Sequence, residues 1–131
     1  MSFNNYLEDK TLNYIFHGVT FAPPFFYVAL FIGDPGEAGS GGTEVSGGAY
    51  ARIQSAPSDW SAVSLGSILN ATEFAFVEAT TDWGDITHFA LFDMSTGGNM
   101  LMYGAITTAP VTISLGSIPR FAVGTIVVTL N

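Results

Sequence analysis

Eight consecutive apolar residues, Phe25 to Ile32 (FFYVALFI), stop at Gly33, and the rest of the chain has to be organised around them. The run is too short for a buried helix and rich in aromatics, so it reads as a strand with both faces buried. Gly33 to Gly48 follows as a sixteen-residue loop with seven glycines, Asp34, Glu37 and Glu44, and no basic residue. The chain then returns as Ala49 to Ile53. A connection that only joined two neighbouring strands would be much shorter, and long loops tend to be functional or disordered. We therefore read Gly33 to Gly48 as an assembly element that becomes ordered against a neighbouring subunit, with Val45 its one sizeable apolar anchor. Glu37 or Glu44 is expected to meet a basic group there.

The residues before the run read as the only substantial helix, Asn5 to His17. Asn5 is placed to cap it, with Glu8 in the capping-box position and Gly18 as the left-handed stop. Leu12, Ile15 and Phe16 form an apolar stripe, with Leu7 and Tyr14 near its edges. Two readings stand: a helix packed on a sheet edge, or an arm reaching a neighbouring subunit.

Downstream, turn signals recur about every ten residues, as in an all-β sandwich or barrel. Ala49 to Ser55, Thr72 to Glu78, Ile86 to Asp93, Met100 to Thr107, Val111 to Leu115 and Arg120 to Leu130 read as strands, with Met94 to Asn99 a hairpin turn. In Ile86 to Asp93, alternation puts Phe89 and Leu91 on one face and Ile86, His88, Ala90 and Phe92 on the other. Gly124 interrupts the last strand as a bulge or bend. The expected fold is mainly β: one domain over residues 1–131, with a helix at 5–17 and an antiparallel two-sheet sandwich of seven or eight strands over 25–131.

Charge narrows the partners. Three Lys plus Arg against eleven Asp plus Glu give a net charge of −8, so neither nucleic acid nor an anionic membrane is an expected partner. The charged fraction, 11 %, is less than half the roughly 25 % of an ordinary soluble domain. So few charges leave much of the surface uncharged or buried against other subunits, and the chain is expected to be a homo-oligomer, a trimer in the first instance. The absence of cysteine excludes disulfides and thiolate metal sites. Glu8 and Asp9 stand where a signal peptide carries positive charge.

No motif announces a reaction, and neither a metal nor a cofactor is expected. Gly36 to Thr43 has the outline of a phosphate loop, but Gly42 replaces the lysine and carboxylates surround it. Asp34, Glu37 and Glu44 match no calcium-loop spacing. Asp85, His88 and Asp93 flank one strand but face apart by parity, so a hydrogen-bonded core histidine is the simpler reading. Trp83 reads as a corner pin, and Trp60 as the better candidate for an exposed, sugar-stacking aromatic. Asn70-Ala71-Thr72 has the form of a glycosylation sequon, a tripeptide common by chance.

Three segments together carry a resemblance: NNYLEDK at the start, YVALFIGDPGEAGSGGTEVSGGAYARI, and ATTDWGDITHFALFDMSTGGNMLMYGAIT. They resemble a group of small tailed-bacteriophage virion proteins commonly called phage tail fibre proteins, over nearly the whole chain. The resemblance implies a structural role in a virion assembled in the bacterial cytoplasm, and no enzyme activity. No shaft repeat is visible, so a capsid cement or decoration protein contacting the major capsid protein is the expected role. A tail-fibre or host-recognition component is the alternative, and a carbohydrate-binding module the non-viral one. In the virion reading, Asp34, Glu37, Glu44, Val45, Arg52 and Arg120 are the candidate subunit contacts.

Overall fold

The computed structural model describes residues 1–108 and 110–130. The expected domain limit at Asn131 therefore lies outside the described residues. The chain opens with a two-residue strand, β1 (Ser2–Phe3), and the helix α1 (Asn5–His17). Gly18 ends the helix in the left-handed conformation at φ 67°, and its N–H reaches back to the Tyr14 carbonyl. The cap residue is Asn4, one position before the expected Asn5, and its side chain does not cap. That amide is diverted to the glycine-rich loop instead.

The apolar run forms β2 (Phe26–Ile32), in which Val28, Ala29, Leu30 and Phe31 are all buried, as a strand covered on both faces requires. β3 (Thr43–Glu44) and β4 (Ile53–Ser55) pair with opposite ends of the same edge of β2. β5 (Ser67–Leu69), β6 (Phe74–Ala75) and β7 (Gly84–Ile86) follow, then β8 (His88–Phe92) and β9 (Met100–Ala105). The chain closes with β10 (Val111–Ile113), β11 (Arg120–Phe121) and β12 (Val127–Thr129).

All pairings are antiparallel. The main sheet has the order β1-β9-β8-β2-β3, with β4 also on β2. Facing it are three separate two-stranded ribbons, β7-β10, β6-β11 and β5-β12. The sandwich thus has a continuous layer and a divided one, and the twelve short strands among the described residues exceed the seven or eight expected. The excess has local causes. Thr87 separates β7 from β8, a turn at Ala122 to Thr125 cuts the closing strand in two, and Gly124 sits in that turn at φ 79°. The break at Thr87 also reverses one assignment, since Ile86 joins Phe89 and Leu91 in the core instead of opposing them.

Between the layers lies the principal core. It includes Val28, Leu30, Phe89 and Leu91 from the sheet and Phe74, Phe76, Trp83, Ile113 and Ile126 from the opposite side. Ala29, Phe31, Ala90, Phe92 and Met100 form a second cluster on the other face of the sheet. The start of α1 and the glycine-rich loop border this face. The approach is so close that a Cβ at Gly39 would stand 3.3 Å from the Met100 Cβ.

Candidate interaction surfaces

The long loop is two connections. After ten residues the chain touches β2 again through β3, with Glu44 opposite Phe31 and Thr43 opposite Ile32. Val45 then turns into the core, its N–H donating to the Leu30 carbonyl at 3.0 Å. The loop therefore has its order from within the chain, because a single apolar anchor and two ladder pairs already fix its midpoint.

Arg52 fastens this segment. Its Nε and Nη2 donate to Glu44 Oε1 and Oε2, each at 2.8 Å, a two-toothed geometry that only a planar guanidinium provides. Nη1 donates to the carbonyls of Met94 and Gly97 in the β8-β9 turn, both at 2.8 Å. The guanidinium carbon stands 3.6 Å from the centre of the Phe92 ring. One side chain, only 6 % exposed, thus joins the loop, the turn and the second apolar cluster. Tyr50 completes the arrangement by donating to Glu44 Oε1 at 2.9 Å and accepting from the Leu30 N–H at 3.0 Å. Burial, aided by the neighbouring Glu44 carboxylate, pushes the Tyr50 phenol well above its ordinary range.

The other expected contact residues lie apart from this knot. The Asp34 carboxylate accepts from the Gly36 N–H at 2.8 Å and shapes the exposed turn. The Glu37 side chain is exposed, while its carbonyl accepts from Asn4 Nδ2 at 2.9 Å and from the Asn5 N–H at 3.0 Å. Arg120 meets Glu73 at 3.1 Å on the exposed side of the β6-β11 ribbon. Glu44 and Val45 are committed inside the chain, and Asp34 and Glu37 face solvent.

Among the described residues, Asp85, His88 and Asp93 each have separate partners, and Trp60 and Trp83 are engaged within the chain. Asp85 accepts from Thr112, His88 Nδ1 lies 2.8 Å from Thr87 Oγ1, and the Asp93 carboxylate accepts from the Asn99 backbone and side chain. Trp83 is buried and donates to the Gly48 carbonyl at 2.9 Å, pinning its corner as expected. Trp60 is half-buried, with its indole N–H on Ser55 Oγ at 3.2 Å. Asn70 is no glycan acceptor, being fully buried. Its amide nitrogen donates to the Thr72 and Ala122 carbonyls, and its Oδ1 accepts from the Ile126 N–H. It splices two of the ribbons together. A sequon pattern cannot distinguish that role, just as no pattern marks Asn4, which clamps the loop.

Among the apolar surfaces that the described residues leave open, two draw on residues near the start of the chain. On α1 only Leu7 is buried, so packing on the sheet reaches the first half of the helix and then stops. Leu12, Ile15 and Phe16 are exposed by 55, 63 and 75 %, and Val19, just past the cap, is exposed as well. The second surface is a groove of about 320 Å³ at the mouth between the layers, bordered by Pro24, Phe25, Ala56, Pro57 and Trp60 over a floor that includes Leu91. Among the described residues that line it, none is ionisable.

A family model described as podophage GP4 fiber I protein gp80 matches residues 2–129. No curated protein matches the chain.

Proposed function

The chain belongs to the podophage GP4 fiber I protein gp80 family, and on that premise we propose that it is a non-enzymatic subunit of a virion fibre that works as a homo-oligomer, a trimer in the first instance. Membership makes it a phage virion protein; the fibre position and the oligomer are our reading. The observation that carries it is the helix whose second half presents Leu12, Ile15 and Phe16 to solvent. A monomer gains nothing from an apolar ridge left in water, whereas a subunit gains a contact. The folded unit is compact, so elongation of a fibre would come from stacking or joining such units. The same ridge would also suit a subunit seated on a capsid lattice; the family description supports the fibre reading.

Gold-labelled antibody against this protein, viewed on negatively stained particles, tests the position. Gold confined to appendages is the expected result. Gold spread over the head would replace the fibre reading with capsid cement, and unlabelled particles would remove the virion role of this chain altogether.

A further inference from the structure

We propose that the exposed ridge of α1 in one copy docks into the apolar groove of a second copy, a head-to-tail contact that builds the oligomer. The inference rests on the fibre-subunit reading and names the surfaces that reading leaves open. Leu12, Ile15 and Phe16 lie at the i, i+3, i+4 spacing with which a helix fills a groove, and exposed Val19 follows just past the cap. The groove of about 320 Å³ offers Pro24, Phe25 and Trp60 at its rim.

Charge selects the occupant. Each copy carries −8, so most ways of bringing two copies together set carboxylates against carboxylates. Ridge and groove both escape this. Thr11 to Gly33 contains no Asp, Glu, Lys or Arg, and it supplies the ridge as well as one wall of the groove. The other wall, Ser55 to Pro57 with Trp60, adds no charge among the lining residues. A basic foreign partner would gain more from the exposed carboxylates of Asp34 and Glu37 than from a charge-free groove. The helix cannot enter its own groove in this fold, because Asn4 and Leu7 anchor its first half and the rest of the rigid rod stands clear. Four large side chains, each more than half exposed, supply a substantial share of the roughly 800 Å² per partner that a stable interface buries. Since the two surfaces differ, repeating the contact closes a ring when its rotation permits.

The chain has no cysteine, so a Phe16→Cys/Ala56→Cys double variant reports this contact directly. Under mild oxidation it should run on a non-reducing gel as covalent multimers, while either single variant runs as one chain of 13.8 kDa. Covalent dimers of Phe16→Cys alone would show a symmetric helix-to-helix contact and overturn the proposal. So would a double variant that sediments as an oligomer without cross-linking. Ala56 is half-buried, and Phe16→Cys/Pro24→Cys offers an exposed alternative should the first pair fold poorly. Independently, Phe16→Glu should reduce the sedimenting mass to that of one chain with an unchanged circular dichroism spectrum; an intact oligomer would count against the proposal. Gold labelling of particles separates the two claims: labelled appendages without the cross-link remove only the docking contact, and the cross-link without labelled particles removes only the fibre role.

Discussion

The Arg52 knot and the far half of α1 solve opposite problems. Around Arg52, a buried cation has two carboxylate oxygens, two carbonyls and an aromatic face as partners, all from its own chain. Along α1 from Leu12 to Phe16, large apolar side chains have water as their neighbour. Buried charge left unpaired destabilises a fold severely, while an exposed apolar ridge is tolerated. Losing a partner is costly where charge is buried, and loss of an exposed apolar side chain costs the single chain little. Mutations should therefore fall into two classes, those that unfold the chain and those that only separate copies.

The largest effect is expected from Arg52→Ala. Breaking a buried pair costs about 3 to 5 kcal/mol, and the lower end applies because Glu44 keeps about a quarter of its side chain in water. Urea unfolding of the variant should show this drop, and Arg52→Lys should recover little of it because an ammonium cannot make the fork. An unchanged midpoint would mean that the knot contributes no net stability. Next comes Asn4→Ala, which leaves the Gly36 and Glu37 carbonyls without their side-chain donor. A loss of about 1 to 2 kcal/mol should appear in the same measurement, for two lost hydrogen bonds to carbonyls that each keep a backbone donor, with faster amide exchange in the 33–42 loop. If Asn5 to His17 and the loop exchange as before, the clamp is not what joins them.

Tyr50→Phe should cost about 1 kcal/mol at neutral pH, for the lost hydrogen bonds. It also alters the alkaline limb. The phenol is held protonated in the folded state above its unfolded pKa of about 10, so its contribution is complete below that pH and declines as pH rises further. The wild-type protein should lose stability on that limb more steeply than Tyr50→Phe; parallel curves would contradict the role of burial here. The smallest effect on folding belongs to Phe16→Glu, within about 0.5 kcal/mol of wild type, as for an exposed position. Its effect on sedimentation should be the greatest of the four variants at matched folded fraction. Destabilisation approaching that of Arg52→Ala would erase the distinction between the two regions.

What the sequence revealed divides along similar lines. The span of α1 was legible because acidic residues and Gly18 punctuate it locally, and β2 because an uninterrupted apolar run of that length has few other uses. The partner of the helix was not legible. A stripe at positions 12, 15 and 16 shows that one face is apolar, yet contains nothing about what covers it. The loop misled for a related reason: its glycine count was plain, but Glu44 finding Arg52 eight residues on, and Val45 entering the core, depend on tertiary geometry. Asn4 and Asn70 gave no signal, since a buried amide that completes backbone hydrogen bonding has the same letter as one in a turn. Ile86 changed face because strand parity holds only while the strand continues, and Thr87 ends it.

The divided layer has a mechanical consequence. An isolated two-stranded ribbon is marginal on its own, so each of the three depends on side chains it shares with the main sheet. Backbone hydrogen bonds outside the ladders still stitch the ribbons end to end, Phe76 to Pro119 and Ala79 to Ser117 between β6-β11 and β7-β10, and Asn70 to Ile126 beside β5-β12, so the layer is one interrupted strip. The main sheet, with its continuous ladders, is the stiffer layer, and the interrupted strip the softer one. Local opening is expected first in the strip, where the ladders are short, while β2 and β8 stay closed.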